Sequence, residues 1–161
     1  MTHEGQIQSR SRVPRAFTMG EVVCVVVIIA TLAAVAVPRF GNTLALRRVE
    51  AAARRIVADL ALAQRRARTT NASQTVRFTL GTHEYTLIGM PHPDHPSLAY
   101  KVLLSEEPYR ASIVSADFGG DLDIIFDVFG VPDSGGSVVI SVGNHVRTVT
   151  VDAVTGRATQ P

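Results

Sequence analysis

The sequence predicts an α+β chain: a long N-terminal helix, with an apolar transmembrane half and an amphipathic half, packed on an antiparallel β-sheet domain. Three observations predict it. Residues 17–37 form an apolar run holding a single carboxylate, residues 46–67 repeat apolar side chains at steps of three and four, and from Thr69 onward the repeat shortens to two. At 161 residues the chain suits one compact domain plus the apolar segment. The single cysteine, Cys24, lies in the run, so no intramolecular disulfide can form.

Phe17 to Val37 is 21 residues, a helix of roughly 31 Å at about 1.5 Å per residue, against a bilayer hydrocarbon core of roughly 30 Å. Arg10, Arg12 and Arg15 precede it against Glu4 alone, so the positive-inside tendency keeps residues 1–16 in the cytoplasm and sends the rest outward. Two other readings stand beside this one. A secretory signal peptide would be cut after Ala34-Val35-Ala36, although no polar break precedes that point and Glu21 is foreign to such a segment. A plain uncleaved anchor explains the length but not Glu21, because an ionisable residue in a membrane span calls for a partner.

Arg15-Ala16-Phe17-Thr18-Met19-Gly20-Glu21, followed by the apolar helix and Pro38, resembles the class III signal of type IV pilins and type II secretion pseudopilins, usually G-F-T-L-x-E. The resemblance implies the pilin fold. It also implies that a prepilin peptidase cuts between Ala16 and Phe17 and methylates the new amine of Phe17, that Glu21 acts in filament assembly, and that Pro38 marks a helix kink. The divisions are then a cytoplasmic leader 1–16, a transmembrane and filament-core helix 17–38, an amphipathic half 39–70 and a β domain 71–161. The implied partners are the peptidase, other pilin or pseudopilin subunits, the inner-membrane assembly platform and the membrane itself. The implied location is the bacterial inner membrane, single-pass, with the C-terminal domain periplasmic or extracellular. Two positions depart from the pattern. Ala16 stands where the family has Gly, which bears on processing, and Gly20 replaces a bulky apolar residue at a helix cost of up to about 1 kcal/mol relative to Ala.

The chemistry of Glu21 can be stated independently. Cleavage before Phe17 would create an ammonium, and a neighbouring helix displaced along the filament axis could bring it near Glu21. At about 4 Å and an effective dielectric near 20 the pair attracts by about 4 kcal/mol, which offsets the roughly 2.5 to 3.5 kcal/mol insertion cost of a mid-helix charge.

After Pro38 the chain is expected to continue as one bent helix or to break briefly through Arg39-Phe40-Gly41-Asn42. Leu46, Val49, Ala53, Ile56, Leu60, Ala63 and Ala67 form an apolar stripe that should pack on the body. Arg47, Arg48, Arg54, Arg55, Arg65, Arg66 and Arg68 fall on the opposite arc. Residues 39–68 carry eight Arg against Glu50 and Asp59, a net of +6, whereas residues 69–161 carry five basic and ten acidic residues, a net of −5. The plain reading of the arginine arc is a solvated face; contact with anionic headgroups or acidic neighbouring subunits, or with nucleic acid, is the sharper one. No aromatic residue interleaves the arginines, so nucleic acid binding would rest on the phosphate backbone alone.

Strands are predicted at Gln74–Leu80 and Glu84–Gly89 around Gly81-Thr82-His83, near Tyr100–Leu104, Tyr109–Val114 and Asp123–Val128, and in SVVISV and HVRTVTV joined by the two-residue turn Gly143-Asn144. From Asp123 to Ala158 the chain resembles the C-terminal half of the minor pseudopilin H and minor pilin T/U group, with Phe126 and Gly130 as its F-x-x-x-G and Gly156-Arg157 as its terminal G-R. In the branch linked to DNA uptake further basic residues follow the G-R; here Ala158-Thr159-Gln160-Pro161 follows.

Three constellations imitate catalytic or metal chemistry. Asp133-Ser134-Gly135-Gly136 echoes a serine-protease motif but sits in a turn without a His and Asp context. His92, Asp94 and His95 share a proline-stiffened loop with no further ligand cluster, and Asp121, Asp123 and Asp127 lack the spacing of a known calcium loop. The sequence therefore predicts a structural minor pilin or pseudopilin, not an enzyme, with no cofactor and no metal. The alternatives are a DNA-binding minor pilin for natural transformation and a secreted or membrane-anchored β domain.

Overall fold

The computed structural model describes residues 17–93 and 95–160, with the side chains of 35–40 outside the description. The chain divides into two units, Met1–Phe40 and Gly41–Pro161. One helix, α1, is assigned from Met19 to Thr70, so the break considered at Arg39–Asn42 does not occur. The side chain of Pro38, where a kink is expected, lies outside the description, and Ala16 and the leader lie outside the described residues.

In the first unit α1 starts on an N-cap. Thr18 Oγ1 accepts the Glu21 backbone N–H at 3.3 Å, and Thr18-Met19-Gly20-Glu21 has the S/T-x-x-E spacing of a capping box. The apolar side chains beyond it are exposed, Cys24 included. Among the described residues no helix is long and apolar enough to cross a membrane. The described apolar side chains of α1 run from Met19 to Ala34, 16 residues or roughly 24 Å.

In the second unit the remainder of α1 packs on two antiparallel sheets. One has the order β3-β2-β1-β5 and is built from β1 (Gln74–Thr79), β2 (Glu84–Pro91), β3 (Ala99–Leu103) and β5 (Asp123–Phe126). The other has the order β4-β6-β7-β8 and is built from β4 (Ser112–Phe118), β6 (Gly136–Val142), β7 (His145–Val151) and β8 (Ala158–Thr159). The expected antiparallel β domain is thus present, and its strands divide between two sheets. Alternation fills the space between them and the helix: Val76, Phe78, Tyr85, Leu87 and Ile124 from one sheet meet Phe118, Val138, Ile140 and Val149 from the other. Phe78 joins the sheets, stacking on Phe118 at 5.6 Å between ring centroids. The helix contributes the predicted stripe, with Val49, Ala53, Ile56, Leu60, Ala63 and Ala67 buried.

Most strand expectations hold to within a residue or two. Val142 pairs with His145 across Gly143-Asn144, as the two-residue turn requires. The strand expected at Tyr109–Val114 instead begins at Ser112, because Glu106 O accepts the N–H of both Tyr109 and Arg110 and closes a turn there. The strand expected to reach Val128 ends at Phe126, because Asp127 caps the next turn with its own carboxylate.

Candidate functional site

Three clusters along α1 carry polar chemistry. The first is the N-terminal cap, where Phe17 stands 77 % exposed and Glu21 lies in the first helical turn. A carboxylate there meets the positive end of the helix dipole and stabilises the start of the helix without any partner chain. Glu21 therefore has a local role that the sequence reading missed, legible in the T-x-x-E spacing.

The second cluster centres on Asp59, the only charged residue that the described core buries. Its carboxylate accepts the Tyr85 hydroxyl at 2.6 Å, the Tyr100 hydroxyl at 2.8 Å and Arg55 Nε at 2.9 Å. Arg55 also donates from Nη2 to the Tyr100 oxygen at 2.7 Å. Burial, with the Asp59 carboxylate beside it, holds the Tyr85 hydroxyl well above the usual tyrosine range. Burial, the hydrogen bond to Asp59 and its charge push Tyr100 up to about 12. Burial alone would lower Arg55, but the charge and hydrogen bond of Asp59 outweigh it and raise the guanidinium further, so it stays a cation. This network ties the helix to β2 and β3. A buried carboxylate with three donors is a satisfied group.

The third cluster lies at the C-terminal end of α1. Gln64 Nε2 donates to Gly130 O and to Thr155 O, each at 2.7 Å, and Arg68 Nε donates to Phe129 O at 2.7 Å. Two turns, 127–131 and 152–156, are thereby clamped together. Both glycines of the second resemblance sit in the clamp with φ of +73° and +67°. A Cβ on Gly156 would meet Gln64 Nε2 at 2.5 Å and Gly130 O at 2.9 Å, and one on Gly130 would collide with the Arg68 side chain.

The arginine arc is not a uniform solvated face. Arg48 pairs with Glu107 at 3.3 Å, Arg55 with Asp59, and Arg47 with Glu50 at 3.9 Å, while Arg68 reaches the Phe129 carbonyl. At about 100° per residue Arg48, Arg55 and Arg66 lie on a flank nearer the core than Arg47, Arg54 and Arg65. Two of these flank residues, Arg48 and Arg55, reach partners outside their own turn.

The other constellations resolve into structure. Asp133 accepts the N–H groups of Ile125 and Ser134, Asp123 is held by Arg77, and Asp127 accepts the N–H groups of Phe129 and Val131. The rings of His92 and His95 stack at 5.7 Å, while Asp94 lies outside the described residues. Among the described residues no group of three or more metal-type ligands gathers.

Known proteins agree with this architecture. The chain is similar in fold to the minor pseudopilin EpsH from the type 2 secretion system of Vibrio cholerae, with a TM-score of 0.54 and 13 % identity over 71 % of this chain and 96 % of that one. It is also similar to the type IV minor pilin FimU of Pseudomonas aeruginosa, with a TM-score of 0.53 and 12 % identity over 71 % of this chain and 89 % of that one. No curated protein matches the sequence. The family model described as type II transport protein GspH matches residues 52–156, from the amphipathic helix to the clamped glycine of the last turn, and the chain belongs to that family.

Proposed function

We propose that the chain is a minor pilin or pseudopilin subunit, cut by a prepilin peptidase between Ala16 and Phe17, N-methylated on Phe17, and assembled through its apolar helix into a type IV pilus or type II secretion pseudopilus. Its role is structural rather than catalytic. The observation that carries the reading is the helix of the first unit, whose large apolar side chains between Val22 and Leu32 are 48–66 % exposed. Nothing among the described residues covers them, so lipid before assembly and neighbouring helices afterwards are the occupants. Glu21, at the capped end of that stretch, pairs with the Phe17 amine of a neighbour. The body supplies the outer contacts.

Intact mass of the mature protein tests the processing: loss of residues 1–16 plus one methyl is expected, and a start at Val37 or a full-length chain overturns it. Glutamine can still serve in a capping box but carries no charge. Glu21→Gln and Glu21→Ala are therefore both expected to be cut and inserted yet absent from filaments. Normal incorporation of Glu21→Gln would reduce Glu21 to its local capping role.

A further inference from the structure

The clamp at the end of α1 presents a knob. Asp127 Oδ1 accepts the N–H of Phe129 and of Val131 at 2.9 and 2.7 Å, and Asp152 Oδ1 accepts those of Val154 and Thr155 at 3.1 and 2.7 Å. The bonds from Thr155 and Val154 hold the Asp152 carboxyl below its usual range. Each turn is thus fixed by its own aspartate, the two are joined through Gln64, and each lifts one apolar side chain into solvent: Phe129 at 74 % exposure and Val154 at 78 %. An exposed aromatic on a rigid turn loses little entropy when it docks. Two cations flank it, Arg68 beneath Phe129 and Arg157 after Gly156, and neither has an ion pair among the described residues.

The complement of that knob lies on the same chain. Leu122 and Ile125, each 39 % exposed, floor an open cleft of about 430 Å³ whose remaining lining is Asp121, Asp123 and Asp133. Arg77 neutralises Asp123. Asp121 and Asp133 have no ion pair among the described residues, leaving the cleft two negative charges to match the two positive charges of the knob. Bonds from Asp127 N to Val131 O and from Asp133 N to Ile125 O place knob and cleft at opposite ends of one hairpin.

We infer that this surface binds a second copy of the chain, the Phe129–Val154 knob of one entering the Leu122–Ile125 cleft of the next, with Arg68 and Arg157 set against Asp121 and Asp133. The contact needs only two folded bodies and does not rest on the processing or assembly proposed above. A polyanion is the poorer occupant of the knob. Val154 offers no stacking surface, and Asp127 and Asp152 sit directly beneath the two apolar tips.

Sedimentation of the full chain in detergent micelles, over a range of protein concentrations, tests this. Wild type is expected to self-associate, and Arg157→Glu and Asp121→Arg are each expected to weaken association about tenfold or more. An equimolar mixture of the two variants restores it, because the reversed charges again face opposite signs. Phe129→Ser removes the apolar anchor and is expected to abolish association without altering the melting curve. A wild type that stays monomeric, variants that associate like wild type, or a mixture that fails to recover would each overturn the contact. So would knob substitutions that change only binding to added DNA.

Discussion

The two halves of α1 draw on similar apolar residues and meet opposite surroundings. Eight large side chains between Val22 and Leu32 stand 48–66 % exposed, whereas the stripe from Val49 to Ala67 is at most 1 % exposed. The difference is one of pattern. Apolar positions on every side leave no face for water, and nothing among the described residues covers them; apolar positions at steps of three and four leave a polar face and match the inner faces of two sheets. The periodicity of a helix therefore tells whether its partner lies inside the chain or outside it. Truncation on each side is the strongest way to break this contrast. Leu60→Ala is expected to cost about 2–5 kcal/mol in urea unfolding of the body, and Ile28→Ala no more than about 0.5 kcal/mol. Equal losses would mean that the first half is covered by its own chain.

The packed half owes its placement to more than apolar contact. Asp59→Ala strips the shared acceptor from two tyrosine hydroxyls and Arg55, and is expected to cost about 3 kcal/mol. Tyr100→Phe should cost about 1 kcal/mol, because Tyr85 and Arg55 remain on the carboxylate. A double-mutant cycle of the two should show strong coupling; simple additivity would mean that the hydrogen bonds contribute little. The same cluster sets an alkaline limit. Tyr100 titrates at about 12 in the fold against an ordinary 10, so between these values the folded chain holds a proton that the unfolded chain has lost. This contribution is complete below pH 10 and is lost as pH rises to 12. Base titration of unfolding should steepen in that window, and Tyr100→Phe should reduce the steepening to the part that Tyr85, also raised, supplies.

The stripe, the hairpins and the switch from period 3.6 to period 2 were legible because each repeats over many residues. Single residues whose partners are distant in sequence were not. Asp59 reads as one acid among arginines, since its two tyrosine donors are 26 and 41 positions away. Gln64 gave no signal at all, its acceptors lying 66 and 91 positions on. The pairing of β1 with β5 escaped for the same reason, and with it the division into two sheets. At Glu21 the difficulty was different. The capping signal is present in four adjacent residues, Thr18 to Glu21, but the same carboxylate also suits a contact between chains, and spacing alone does not separate the two roles.

The arginines offer the smallest effects and the finest contrast. Arg48 reaches Glu107 at 3.3 Å, but that carboxylate is 56 % exposed and already held by Arg110 at 2.7 Å. Removing Arg48 leaves no stranded charge, and exposed pairs of this kind contribute about 0.2–1 kcal/mol. Arg48→Ala is therefore expected at the bottom of that range, and its effect should vanish in high salt as screening replaces the pair. Arg54, exposed and without an ion pair among the described residues, should lose nothing on conversion to Ala at any salt concentration. If Arg54→Ala destabilised the fold as much as Arg48→Ala, the separation of the arc into a body-facing flank and a solvent-facing crest would fail.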